Sequence, residues 1–145
     1  VDSRLGLWQA AVALWREAPL AGVGPGGFVW RYPAHLLPGA PVETNLLHPH
    51  NVWLELATGW GVLGVAWLAA LLVGWLWQAG RALPVVDRRA QAVLLGLSAA
   101  LVAALAHAQV DAFLALPDLA AWLFMALALV SVTARHPESS DAARS

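Results

Sequence analysis

Residues 51–80 read NVWLELATGWGVLGVAWLAALLVGWLWQAG, and this stretch decides the fold. From Leu56 to Gly80 it carries no charged side chain. A helix crossing the hydrocarbon core needs about 17–25 mostly apolar residues, each advancing the chain by about 1.5 Å. Trp53 and Trp60 suit one membrane–water interface, and Trp75 and Trp77 suit the other. The stretch is therefore expected to be a transmembrane helix over about 51–79. Glu55, near its start, places a negative group at the helix N-terminus, where the backbone dipole favours it.

The chain beyond this helix has the same character. Residues 81–89 (RALPVVDRR) form a short charged turn. A second span is expected over about 90–110, with His107, Gln109 and Asp111 marking its exit from the hydrocarbon. Pro117-Asp118 opens a third span over about 118–134, and the polar tail 135–145 is expected to be disordered. Residues 1–50 are different. Leu5, Trp8, Val12 and Trp15 recur at helical spacing, so an amphipathic helix is expected over about 3–17, between Ser3 and Pro19. It is too short and too charged to span a bilayer, and suits a membrane surface or the face of other helices. Residues 18–49 are punctuated by Pro19, Pro25, Pro33, Pro38, Pro41 and Pro49 and read as a long loop, a type of segment that is often functional. Phe28, Trp30 and Tyr32 alternate along it, which predicts a short extended piece.

Composition agrees with a membrane protein. Of 145 residues, 60% are hydrophobic and 12% charged, with a mean hydropathy of +0.65. Soluble domains average about 45–50% apolar and about 25% charged. A soluble helical interaction domain is thus a poor fit. The net charge of −1 argues against a nucleic-acid partner. All eight basic residues are arginine, the better bidentate partner for phosphate or carboxylate. Without cysteine there is no disulfide, thiolate metal site or thiol nucleophile. The start Val1-Asp2-Ser3-Arg4 has neither an initiator Met nor a signal pattern, and the chain is expected to be part of a longer protein. Arg81, Arg88, Arg89, Arg135 and Arg144 fall on one side of the three spans, so that side is read as cytoplasmic and residues 1–50 as periplasmic. The expected fold is an all-α membrane protein: a periplasmic amphipathic helix and long loop followed by three transmembrane helices.

Several clusters carry chemistry. Gly22-Val23-Gly24-Pro25-Gly26-Gly27 matches G-x-G-x-x-G, but a helix precedes it and no βαβ unit surrounds it. A turn allowing close backbone approach fits better than a dinucleotide site. His48-Pro49-His50-Asn51 admits three readings. The pair of histidines could be metal ligands, though no third ligand lies nearby in sequence. Asn51 could be a helix N-cap. A histidine could be a general base, since a neutral imidazole accepts a proton at physiological pH. Arg4, Arg16 and Arg31 are either headgroup-facing side chains or anion contacts outside the membrane. His107 and Asp111, at i and i+4, are a hydrogen-bonded pair at a span end, a proton relay or half a metal site.

Taken together, these blocks resemble the O-antigen ligase and O-antigen polymerase superfamily. His50-Asn51, nine residues, then Gly61-Val62-Leu63-Gly64 resembles its H-[NSQ]-x9-G-x-x-G pattern. Arg4-x3-Trp8-x2-Ala11 followed by Pro19-Leu20-Ala21-Gly22-Val23-Gly24-Pro25-Gly26-Gly27-Phe28 resembles its R-x3-W-x2-A and P-L-x-G-x-G-x-G-x-F blocks. His107-x3-Asp111-x5-Pro117 resembles a C-terminal block. Many relatives carry Glu two residues before the first glycine of G-x-x-G, where this chain has Gly59. The resemblance implies a multi-pass inner-membrane glycosyltransferase working at the periplasmic face. It would move a glycan from an undecaprenyl-diphosphate carrier to lipid A–core or another glycan by metal-independent inverting transfer, with no cofactor. By position, His50 would be the base and Arg4 would hold the pyrophosphate, with Arg16, Arg31, His48 and Asn51 as substrate-binding candidates. A polymerase or a protein O-glycosyltransferase of the same superfamily is the alternative within it. Outside it stands a non-enzymatic membrane module of polysaccharide export, against which counts the lack of any charge in the centre of a span. Trp30 and Tyr32 are further candidates, as rings to stack on sugars.

Overall fold

The computed structural model describes residues 2–40, 42, 46–110 and the isolated positions 125 and 128. Every regular element among the described residues is helical. The first, α1 (Asp2–Glu17), matches the expected helix. Its packed face does not. Leu7, Ala10, Ala11 and Leu14 are buried, while Leu5 is 51% exposed. Trp8, Val12 and Trp15 are half-buried. Both stripes have helical spacing. The two alanines decide between them, because small side chains let neighbouring elements come close. After Glu17 the helix stops as Pro19 approaches, and the Trp15 indole donates to the Pro19 carbonyl at 3.2 Å.

The segment 18–49 is more ordered than the long loop expected. A short helix α2 (Gly27–Arg31) runs directly into a 3-10 turn, Tyr32–His35. The extended reading of Phe28–Tyr32 is therefore wrong. Positions 28 and 32 satisfy alternation, but they are also one helical turn apart, and the rings of Phe28 and Tyr32 stack at 5.1 Å. Both are buried with Leu46 against the Leu7–Leu14 face of α1. At 2% exposure Tyr32 belongs to this core and cannot stack on a sugar, whereas Trp30 is 85% exposed.

Two long apolar helices follow, α3 (Val52–Ala82) and α4 (Arg88–His107). Both are long and apolar enough to cross a membrane. Their apolar windows are only 39% and 11% buried, unlike the core helix of a soluble protein. They differ from the expected spans 51–79 and 90–110 by a few residues at each end. The tail, Asp111 and all of the third span but the isolated positions 125 and 128 lie outside the described residues.

The two helices pack along matched seams. On α3 the seam is Val65, Leu68, Leu72, Trp75, Ala79 and Ala82; on α4 it is Ala90, Leu94, Leu97, Leu101, Ala104 and Leu105, closed by Ala108. Alternating steps of three and four residues keep each seam on one face of its helix. The turn between them is held by side chains. Asp87 caps α4 by accepting from the Ala90 amide at 2.7 Å, and Gln91 donates to the Leu83 and Val86 carbonyls. At the other end the Val52 amide donates to the Ala108 carbonyl at 2.8 Å. The start of α3 and the end of α4 therefore share one end of the hairpin, and Arg81, Arg88 and Arg89 sit at the opposite end.

Candidate active site

Two sequence blocks far apart in the chain meet on the first turns of α3. The helix is interrupted at Gly61, whose backbone (φ 66, ψ −156) is not helical. An unbroken helix would pair the Val62 amide with the Thr58 carbonyl, and the Leu63 amide with the Gly59 carbonyl. Here the glycine-rich loop supplies partners instead. The Val23 amide donates to the Thr58 carbonyl at 2.7 Å, and the Gly24 amide to the Gly59 carbonyl at 3.1 Å. The Val62 amide donates to the Pro19 carbonyl at 2.8 Å. Residues 19–24 thus lie along the break like an added strand of backbone.

Only glycine allows this approach. A Cβ on Gly22 would lie 2.6 Å from the Trp60 amide nitrogen, and one on Gly61 would run into the backbone of Leu20 and Ala21. Both have positive φ as well. The loop and the broken helix also line an open apolar cavity of about 690 Å³, whose walls include Pro25, Leu56, Trp60, Leu63 and Trp67.

Immediately before α3 the chain makes the turn that carries the histidines. His50 has φ 51, and among the described non-glycine residues it alone has a positive φ. Its ring meets His48 edge-on, with centroids 4.6 Å apart. Asn51 caps α3: its Oδ1 accepts from the Trp53 and Leu54 amides, each at 3.1 Å, and its Nδ2 donates to the Gln109 carbonyl at 3.1 Å. This realises the cap reading of Asn51. Pro49 is buried, and its carbonyl accepts from the Trp8 indole N–H at 3.0 Å. That bond joins α1 to the histidine turn across 41 positions of sequence.

The candidate arginines divide between the two ends of α1. Arg4 is exposed and lies one turn before Trp8, on the side of the helix that reaches Pro49. Arg16 is exposed twelve residues further on, about 18 Å along the axis. Arg31 lies near that second end. Its carbonyl is 3.0 Å from His35 Nδ1, and His35 Nε2 is 2.8 Å from Glu17 Oε1. The Glu17 carboxylate beside it raises the pKa of His35 above its ordinary 6.5, helped by the Arg31 carbonyl and opposed by burial. The Trp8–Pro49 bond thus joins α1, one turn after Arg4, to the turn carrying His48, His50 and Asn51, while Arg31, His35 and Glu17 meet near the Arg16 end of α1.

Glu55 is half-buried on the first turn of α3, and its Oε2 is buried without a hydrogen bond among the described residues. No group of three or more His, Asp or Glu side chains among the described residues is placed to hold a metal ion. His107 is exposed at the end of α4, and its expected partner Asp111 is outside the described residues. Two features escape sequence reading: the indole bond from Trp8, and the docking of one glycine block on the other. The only advance signal was that both blocks carry glycines at fixed spacing.

Comparison with known proteins bears on this neighbourhood. A model of the O-antigen ligase family matches residues 1–69. The match takes in α1, the glycine-rich loop, the histidine turn and the break in α3. No curated protein matches the chain, and no solved structure matches it.

Proposed function

We propose that this O-antigen-ligase-type chain is the part of a multi-pass inner-membrane glycosyltransferase that holds the transfer site, facing the periplasm. The donor is a glycan on undecaprenyl diphosphate and the acceptor is lipid A–core. One observation carries the reading: the Trp8–Pro49 bond ties the helix bearing Arg4 to the turn bearing His50. On this reading the cation and the base stand on two elements that this bond joins, and the histidine turn leads into one end of an apolar hairpin.

The chemistry needs two things. The acceptor hydroxyl attacks the anomeric carbon, and its proton passes to the imidazole of His50. General base catalysis of this kind is worth about 10²–10⁴ in rate. As the new bond forms, the bond from the sugar to the diphosphate oxygen breaks. Negative charge builds on the diphosphate, and a fixed guanidinium stabilises it with a fork of donors. Arg4 has that role, with inversion at the anomeric carbon. Arg16 and Arg31 at the far end of α1 are suited to a more distant anionic part of a substrate or to lipid headgroups. His48 packs against His50, and Trp30 is an exposed ring of the kind that stacks on sugars. A polymerase would use the same two residues with a growing glycan as acceptor.

The test is complementation of a ligase-deficient bacterium by the full-length protein. His50→Ala and Arg4→Ala should each abolish glycan attachment to lipid A–core on gels, with membrane protein levels unchanged and lipid-linked glycan accumulating. Normal attachment in His50→Ala would refute the base assignment. Restored chain length without attachment to lipid A–core would mark a polymerase.

A further inference from the structure

We infer that Trp8 is a positioning residue for His50, acting through the carbonyl of Pro49; the inference rests on the reading of His50 as the base. His50 is a single residue between two anchors. On one side the Trp8 indole N–H fixes the direction of the Pro49 carbonyl at 3.0 Å. On the other, Asn51 is fixed by its bonds to the Trp53 and Leu54 amides and to the Gln109 carbonyl. With both neighbours held, the φ of His50 closes the path, and it closes at 51°. A residue with a Cβ does not choose this region unaided, although histidine tolerates it better than most. The conformation is imposed by the anchors.

Trp8 is not explained by packing. The buried face of α1 is Leu7, Ala10, Ala11 and Leu14, while Trp8 stands half-buried off that face. Its distinctive contribution is the N–H. Removing that donor leaves the carbonyl of a buried proline without its partner and frees the peptide between Pro49 and His50 to rotate. Once φ returns to negative values, the Cα–Cβ bond of His50 points elsewhere and the imidazole leaves the line of attack. Misplacing a catalytic group by about 1 Å can cost about 10²-fold in rate.

The experiment uses the full-length enzyme in membrane vesicles with its lipid-linked donor and lipid acceptor. Trp8 is replaced by the benzothienyl analogue of tryptophan, in which sulfur stands for the N–H and the ring shape is kept. Trp8→Phe is the genetically simple companion, and His50→Ala the control. The expected result is a fall in kcat of about ten- to a hundredfold for the analogue. KM for the donor and the midpoint of the pH–rate profile should stay as in the wild type, because the base is displaced rather than changed, and thermal stability should fall only by the modest amount that one lost hydrogen bond to a buried carbonyl requires. Wild-type kcat with the analogue, or a loss confined to KM or to stability, would overturn the positioning role. Active transfer in His50→Ala would remove the base reading and this inference with it. An inactive His50→Ala beside a fully active analogue would remove this inference alone.

Discussion

The backbone lock between the glycine-rich loop and the break in α3 can be tested by adding one methyl group. In Gly61→Ala two costs arise. The φ 66, ψ −156 conformation is close to glycine-only, and an alanine there is strained by about 1–3 kcal/mol. The new Cβ would also meet the backbone of Leu20 and Ala21, so the loop must withdraw. Withdrawal breaks the Val23–Thr58, Gly24–Gly59 and Val62–Pro19 hydrogen bonds, each worth about 1 kcal/mol net. The sum is about 4–6 kcal/mol. Gly22→Ala strikes the same lock from the other side, at 2.6 Å from the Trp60 nitrogen. Because both act on one interface, the double variant should cost clearly less than the sum of the single ones. Gly24→Ala is the control: its φ of +94 is also positive, but a Cβ there meets nothing within 4 Å. Thermal unfolding in detergent gives the ranking. Trypsin cleavage at Arg16 and Arg31, which flank the loop, reports its release. If Gly61→Ala were no less stable than Gly24→Ala, or if the two lock variants were simply additive, the docking of loop on helix would be refuted.

Two further outcomes follow from other parts of the fold. His35 titrates above 6.5 because it is paired with Glu17, so the pair's stabilising effect is complete below the ordinary value and is lost as pH rises through the raised one. Glu17→Gln should return the His35 titration, followed by NMR, toward 6.5, with little change in stability because the pair is near the surface. Within the hairpin, Leu101→Ala opens a cavity in the α3–α4 seam and should cost near the lower end of about 2–5 kcal/mol, since lipid tails are as apolar as leucine and only packing is lost. Val102→Ala, 63% exposed and off the seam, should leave thermal stability unchanged.

Much of the architecture was legible because long helices write themselves in hydropathy. The two described spans, the charged turn between them and the helix before Pro19 were all expected, with boundaries off by a few residues. The errors came where one pattern satisfied two periods. Phe28 and Tyr32 fit alternation and a helical turn equally well, and their mutual stacking against α1 chose the helix. On α1 two apolar stripes competed, and the smaller side chains of Ala10 and Ala11 won the packed face. The site was legible as residues and not as an arrangement. Nothing in the spacing of Arg4, Arg16 and Arg31 tells that the first stands one turn before the tryptophan tied to the histidine turn and that the other two come together at the far end of α1. That division depends on where the chain between them turns back, which is fixed by contacts such as His35 with Glu17.

The family-like blocks also separate into chemistry and architecture. Gly22 and Gly61 are needed for backbone contact, Asn51 for a cap and Trp8 for a tether, whereas Arg4, His50 and His107 are block members that carry charged or titratable groups. Gly59 is the informative exception. A Cβ there would meet only ordinary contacts, 3.9 Å from the Gly24 carbonyl and the Pro25 Cα, so sterics do not require glycine. A side chain at that position would enter the apolar cavity beside Pro25 and Trp60, which Gly59 itself lines. With glycine at 59, no side chain from that position narrows the cavity or brings charge to it. The nearest carboxylate along the same helix is Glu55, one turn earlier, and its buried Oε2 makes no hydrogen bond among the described residues. A glutamate introduced at 59 would therefore stand against an apolar lining, at a desolvation cost.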